Sequence, residues 1–436
     1  MADDGTAEGT ATATAAGAAR RVLGGLDALR PDAEAFYRNL HAHPELGFQE
    51  RRTAARAAQL LGGWGYQVIE GLGETGVVGV LANGDGPVVL LRADMDALPV
   101  RERTGLPYAS TATATGDGEG GDEVPVMHAC GHDVHVTCLL GAARLLAEGK
   151  EHWSGTLIAL FQPNEEGGEG ARAMVADGLA DRIPRPDVAL GQHVLPLPAG
   201  LLATRAGVMT SAADSLRVTL HGRGGHGSMP ERTVDPVVMA AATVMRLQTV
   251  VSREVAATTP AVVTVGSVRA GSGPNIIPDR AELQLNIRTF DDGTRRRVND
   301  AVRRICRDEA AASHAEAEPE FETLADFSLM TNDGPATERV ADAFREWFGP
   351  DRATTLDEPV PASEDFGDLP AALGCPATYW GVGGTDPAKY AAAERKGTTD
   401  QEIPGNHSPY FAPVVQPTLD AGISALCVAA LAWLAS

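Results

Sequence analysis

Nine residues, Met127-His128-Ala129-Cys130-Gly131-His132-Asp133-Val134-His135, hold three histidines, a cysteine and an aspartate. The whole chain of 436 residues has only 11 histidines and 5 cysteines. Cys130 and His132 pair a thiolate with an imidazole, donors that suit a divalent transition metal. Two residues apart on a turn flanked by glycine, they can converge on one point. A polar helix start with a buried cysteine would look similar, so the stretch does not decide by itself.

Further donors fall where apolar segments end. Asp94 and Asp96 follow the uniformly apolar Val88 to Leu91, Glu165 and Glu166 follow Gly155 to Phe161, and His193 follows Asp187 to Leu190. His407, in Gly405-Asn406-His407-Ser408-Pro409, lies far along the chain. In an open α/β sheet, sites form at the carboxyl ends of strands. A lone histidine there is usually structural, and an acidic pair is often a solvated loop. Joint placement is harder to dismiss. Glu165 and Glu166 have nothing basic beside them and would repel if both were free. The conflict is resolved if one coordinates a metal and the other serves as general acid and base.

The elements that must position these groups read as follows. Residues 18–42 carry helical spacing through Leu23, Leu26, Leu29, Ala33, Phe36, Tyr37 and Leu40, and a second helix covers 50–61. Strands over 66–69, 76–81, 88–91, 155–161 and 187–190 alternate with helices over 134–146 and 170–177, which predicts a largely parallel α/β sheet. Cys138 lies inside the first of these helices as core filler. Near residue 212 the pattern changes to alternating strands with two long helices, the signature of a small α+β sandwich. Beyond about 328 the α/β pattern returns. The expected organisation is therefore a catalytic domain over 18–211 and 327–436, interrupted by an inserted domain over 212–326. Residues 1–17 are low-complexity and expected to be disordered, and 110–123 read as a mobile surface insertion.

Composition narrows the function. A net charge of −22 opposes nucleic-acid binding. No apolar run of about 18 residues is evident, so no membrane span is expected. The acidic start lacks the features of a signal peptide, and five scattered cysteines point to a reducing, cytoplasmic setting.

Taken together, His41-Ala42-His43-Pro44-Glu45-Leu46-Gly47, Arg92 to Pro99, Met127 to His135, Phe161 to Gly168 and Asn406-His407-Ser408 resemble the amidohydrolase branch of metallopeptidase family twenty. That family includes aminoacylases, glutamate carboxypeptidases, hippurate hydrolases and indole-acetyl-amino-acid hydrolases. Gly224-Gly225-His226, Asn275-Ile276-Ile277-Pro278 and Arg288 match its inserted domain. The resemblance implies two divalent metal ions (zinc, manganese or cobalt), with Cys130 bridging and His132, Glu166, His193 and His407 completing the set. It implies Glu165 as general base and Asp96 as the carboxylate that orients a ligand. The inserted domain would be a lid that also forms a homodimer contact. Its His226 would hold the developing oxyanion, commonly in the partner subunit's site, while Asn275 and Arg288 grip the amino-acid portion. Read from the residues alone, His226 sits in a flexible turn of no fixed purpose, and Arg288 suits either a bidentate carboxylate contact or a plain salt bridge.

The implied reaction is hydrolysis of an N-acyl amino acid to a carboxylic acid and a free amino acid. Alternatives are a dipeptidase or carboxypeptidase with the same site, and a metal-holding binding protein without catalysis. Three positions depart from the family pattern: Glu231 after the lid histidine, and Asn164 and Glu169 in the glutamate loop. Within the opening stretch, Asp133 is expected to cap the following helix, and His128 and His135 to be structural or supporting.

Overall fold

The computed structural model describes residues 14–116 and 121–435. Of the N-terminal tract expected to be disordered, 1–13 lie outside that range, whereas Ala15 to Gly17 already belong to the helix Ala15–Val22. Its N-terminus is capped by the Thr14 hydroxyl, which accepts the Gly17 N–H. The expected helix over 18–42 is broken by a 3₁₀ turn, Leu23–Gly25, at the Gly24-Gly25 pair, and continues as Leu26–His41.

An eight-stranded sheet carries the site. Its spatial order is Gln67–Leu72, Gly76–Asn83, Gly155–Gln162, Val88–Asp94, Val188–Pro198, Ala377–Thr385, Leu202–Thr204 and Ala353–Thr355. The central four strands are mutually parallel, while Gln67–Leu72, Gly76–Asn83 and Gly155–Gln162 pair antiparallel at one side. Leu202–Thr204 pairs antiparallel with Ala377–Thr385 and parallel with Ala353–Thr355, so the sheet is largely parallel, as expected, with antiparallel pairs toward both edges. The short links Gly73 to Thr75 and Gly84 to Pro87 are hairpin-like or tight connections, too short for a crossover helix.

The central strands are apolar throughout because both faces are covered. Val89 and Leu91 join the core under helices His132–Glu148 and Val415–Leu434, and Leu90 points into the opposite core with Met174, Leu179 and Phe366. Val415–Leu434 is long and apolar enough by length and composition to cross a membrane, although Asp420 and small polar residues interrupt the run; 89% of its most apolar stretch is buried, and it packs on the sheet as a core helix.

Residues from Ala212 to Phe327 build a second layer pair. Four antiparallel strands, ordered Ala261–Ala270, Arg280–Thr289, Ala212–His221 and Glu320–Phe327, carry helices Pro236–Thr249 and Asp292–Ala312 on one face. Leu283, Leu285 and Ile287 point to those helices, while Gln284, Asn286 and Arg288 alternate to the other face. The stretch 110–123 is not simply a mobile insertion. Thr113–Thr115 pairs with Glu123–Pro125, and Ala114 and Val124 pack against Leu46, Ala97 and Val126; its residues 117–120 lie outside the described range.

Candidate metal centre

The donors meet where the central strands end. The Val188–Pro198 strand does not stop at Leu190, as expected from sequence. It runs on because Ala377–Thr385 pairs with it as far as Pro198, and His193 therefore sits mid-strand. Cys130 reaches it across Gly131. That glycine has φ of 84°, and a Cβ there would lie 2.3 Å from Val194 Cγ1, so the turn requires glycine on both counts. The result is Cys130 Sγ at 3.4 Å from His193 Nε2. His193 Nδ1 lies 2.8 Å from the Val194 carbonyl, so Nδ1 carries the proton and Nε2 presents its lone pair. Burial, followed by the neighbouring His135, holds His193 well below the usual imidazole range and hence neutral.

His132 opens helix His132–Glu148 and is fully buried. Its Nδ1 stands 3.1 Å from Asp96 Oδ1, and Asp96 Oδ2 accepts the Glu166 N–H at 2.9 Å. His132 Nε2 lies 3.8 Å from Glu165 Oε2 and 4.0 Å from Glu166 Oε1. Glu166 Oε1 is in turn 3.2 Å from His407 Nε2. His407 is brought in from the far end of the chain by its own N–H, which donates to the Ala129 carbonyl at 2.8 Å. Asn406 donates through Nδ2 to the carbonyls of Cys130 and Val194 at 3.1 and 3.2 Å.

Cys130, His132 and His193 offer donor atoms within 4.8 Å of one another, and so do Cys130, Glu166 and His407, and also His132, Glu165 and Glu166. Cys130 is common to the first two groups, so these residues would hold two neighbouring cations. The residues fit such ions by an independent sign: His132 Nε2 and Glu166 Oε1 are buried polar atoms with no hydrogen-bond partner, a costly state that a cation between them relieves. Electrostatics agree. Burial, then Glu166, Glu165 and Asp94, push the Cys130 thiol far up. Burial lowers the His132 imidazolium, but Asp94 and Asp96 outweigh it and raise it to about 10. The carboxylates' share of both shifts reflects a concentration of negative charge that divalent cations would neutralise. The site is a binuclear divalent-metal centre.

A fourth set, Asp94, His132 and His135, is equally close, but His135 is already committed. Its Nδ1 bonds Asp94 and its Nε2 accepts the Val194 N–H at 2.8 Å. Asp133 does not cap the helix as expected. The cap position is Gly131, and Asp133, second in the first turn, accepts the Val134 N–H at 2.9 Å through Oδ1 while its Oδ2 holds His41 Nδ1 at 2.7 Å. His128 is buried without a partner on either nitrogen, and burial brings it down to about 4.

Glu165, 4% exposed, faces a cavity of about 520 Å³ shared with Cys130, Glu166, His193 and His407. The same cavity is lined by Arg288, Asn286, Ser363 and the apolar Leu195, Met209, Phe327 and Val360. Arg288 is steadied by the Pro361 carbonyl at 2.9 Å and Ser363 Oγ at 3.1 Å. His226 and Asn275 do not line it. They lie in or beside the exposed ribbon of Gly225–His226 with Ile276–Ile277, where His226 pairs with Ile276 and the Gly227 N–H donates to the Asn275 carbonyl at 2.8 Å. Glu231 is also exposed, 3.8 Å from Arg232, and outside the cavity lining.

Sequence reasoning missed the support beneath Glu165. Arg92, fully buried, reaches Asp94 at 2.7 Å, Glu364 at 2.8 Å and Gln162 at 2.9 Å. Glu364 and Asp365 come within 4.8 Å of Glu165. Burial, then Glu364, Glu166 and Asp365, hold the Glu165 carboxyl well above its ordinary range. The signal for Glu364-Asp365 was present: it is the same adjacent-acid pattern that singled out Glu165-Glu166.

Residues 90–404 match the model of peptidase family M20/M25/M40. The chain is 39% identical to hippurate hydrolase of Campylobacter jejuni over 78% of this chain and 85% of that one. It is 33% identical to N-acetylcysteine deacetylase of Bacillus subtilis over 88% and 96%. Among solved structures it is similar to a dinuclear metal-binding peptidase of the M20 family from Bacillus subtilis, with a TM-score of 0.71, 28% identity and coverage of 93% of this chain and 98% of that one.

Proposed function

This chain belongs to peptidase family M20/M25/M40 and is a metal-dependent amidohydrolase, and from that premise we propose that its substrates are N-acyl amino acids, cleaved to a carboxylic acid and a free amino acid. The observation that carries the proposal is the composition of the one cavity that holds the donor cluster. Apolar Leu195, Met209, Phe327 and Val360 suit an acyl group, and the Arg288 guanidinium suits the carboxylate of an amino acid. Glu165 lines the same cavity as the donors Cys130, Glu166, His193 and His407.

Cys130, His132, Glu166, His193 and His407 would hold two divalent cations, which supply Lewis acidity at the amide carbonyl. Glu165 takes the proton of the attacking water as its oxygen bonds the acyl carbon. It then returns that proton to the amide nitrogen as the C–N bond breaks, releasing the amine. Asp96 orients His132 and fixes the Glu166 backbone.

A second copy of the chain belongs to the same proposal. Val262 and Val268, on the free edge strand of the four-stranded sheet, are 49% and 54% exposed, and Ile276, beside His226, is 54% exposed. Pairing there would cover them and carry His226 toward the partner's cavity, to hold the oxyanion with Asn275 nearby. All five cysteines are free thiols, which supports a reducing, cytoplasmic location.

The test is a substrate panel. Purified enzyme loaded with manganese, cobalt or zinc is assayed on N-acetyl and N-benzoyl amino acids and on unblocked dipeptides. Faster release of amino acid from the acylated series supports the proposal. Preference for dipeptides transfers the site to a peptidase, and no turnover of either series under any metal would leave a binding protein.

A further inference from the structure

The motif His41 to Gly47 and the unusual Asn164 have so far taken no part in the chemistry, yet they meet immediately before Glu165. Asn164 has φ of 45°, in the left-handed region that asparagine tolerates better than most residues. The loop it begins is closed by the Gly168 N–H on the Glu165 carbonyl at 2.8 Å and the Gly170 N–H on the Asn164 carbonyl at 3.2 Å. The Asn164 side chain fills a slot that exists only because two neighbours are glycines. A Cβ on Gly47 would lie 2.0 Å from Asn164 Oδ1, and one on Gly167 would lie 2.6 Å from Asn164 Nδ2.

The Asn164 N–H donates to Glu50 Oε1 at 2.9 Å. Glu50 is fully buried, and its other oxygen accepts from the Thr75 hydroxyl. It occupies the N-cap position of helix Arg51–Gly63, where a carboxylate would ordinarily bond the helix's own N–H groups, but its side chain makes no cap bond. Glu45 does that work instead, accepting the Arg52 and Thr53 N–H groups at 2.8 and 2.9 Å. The Glu50 carboxylate is therefore committed to the loop. Burial and the nearby charge of Asp96 bring it up to about 7, a cost that helix capping does not account for. On the other side of Glu165, the Glu166 N–H is held by Asp96. Both peptide neighbours of Glu165 are thus gripped by buried carboxylates.

We propose that Glu50, with Asn164 seated between Gly47 and Gly167, is a positioning residue that fixes the backbone from which Glu165 reaches the amide. This rests on the reading of Glu165 as the general base. Loss of the Glu50 acceptor releases the Asn164 N–H and lets the glutamate loop shift, misaligning Glu165 without removing a metal donor.

The experiment compares Glu50→Ala, Glu50→Gln and Asn164→Gly with the wild type. Measurements are metal per chain, kcat and KM on an N-acyl amino acid that the wild type hydrolyses, and hydrogen–deuterium exchange of the segment 162–170. Glu50→Ala is expected to lower kcat by roughly ten- to a hundredfold, with KM within about twofold, both metals retained and faster exchange in the loop. Glu50→Gln keeps a carbonyl acceptor and should restore most of the rate and the protection. Asn164→Gly relieves the backbone but empties the slot, and should lower kcat with faster exchange; it decides the matter if Glu50→Ala does not fold. Wild-type kcat in Glu50→Ala overturns the proposal, as does equal impairment of the Gln and Ala variants, or wild-type rate and exchange in Asn164→Gly. A wild type that hydrolyses no acylated amino acid removes the substrate reading alone. Exchange then decides the clamp: loss of loop protection in Glu50→Ala but not in Glu50→Gln upholds it, and unchanged protection overturns it.

Discussion

Asp96 Oδ1 stands 3.1 Å from Nδ1 of the buried His132, which fixes which nitrogen of that ring is free. The Nδ1–H donates to the carboxylate, so Nε2 is the nitrogen that faces Glu165 and Glu166 and the one that must give up its proton to offer a lone pair to a cation. Replacing Asp96 with alanine frees the ring to rotate and lets go of the Glu166 N–H as well. The expected result is metal binding weakened ~10- to 100-fold, read by competition with a chelator of known affinity. Unchanged affinity would remove Asp96 from its orienting role.

Glu165→Gln isolates proton transfer from metal binding. The amide keeps the shape and the burial but cannot accept the proton of water. Turnover should fall by ~10²- to 10⁴-fold, while metal per chain, measured by elemental analysis, stays at the wild-type value. Substantial activity in this variant would assign the base elsewhere.

Much of this centre could be read before any coordinates, because metal donors are rare residue types and they cluster. Glu166 and His193 follow apolar segments that have to be central strands, Cys130 and His132 open the helix His132–Glu148, and a parallel sheet gathers the ends of those strands. His407 was legible only through its motif; the backbone bond to Ala129 that seats it spans most of the chain. The boundary of the His193 strand was misread because its last residues pair with Ala377–Thr385, a partner that periodicity cannot reveal. Asp133 looked like a cap because capping is local, whereas its partner His41 is 92 residues away. Glu50 shows the reverse case: it has the position of a cap but serves a distant loop.

Metal binding should release protons. In the metal-free protein the Cys130 thiol is pushed far up by burial and the surrounding acids, and His132 is raised to about 10 by Asp94 and Asp96 against its burial. Both are protonated at pH 7, and both must lose a proton to coordinate. Calorimetric titration with manganese or zinc in buffers of differing ionisation enthalpy should show ~2 protons released per chain. Cys130→Ala should release fewer, bind metal weakly and lose activity with it. Metal at a hundred times its Kd should also stabilise the fold by ~2.7 kcal/mol, seen as a higher Tm. No buffer dependence of the heat would contradict thiolate ligation.

His41 makes a pH signature away from the metal donors themselves. It is fully buried, with Nδ1 2.7 Å from Asp133 and Nε2 3.1 Å from Glu102. Burial alone would lower its imidazolium, but the two carboxylates prevail and bring it up to about 10 from an ordinary 6.5. The folded state therefore binds this proton more tightly than the unfolded chain does. Its contribution to stability is complete below pH ~6.5 and is lost as the pH rises through about 10. His41→Gln leaves Asp133 and Glu102 buried without a cation and should cost ~3–5 kcal/mol near pH 6.5. Denaturant unfolding of both proteins between pH 6 and 10 checks the sign: the gap should be widest at the acid end and close toward pH 10. A gap that stays constant across that range would mean that His41 is neutral in the fold, and that its loss acts through packing against Tyr37 and Tyr108.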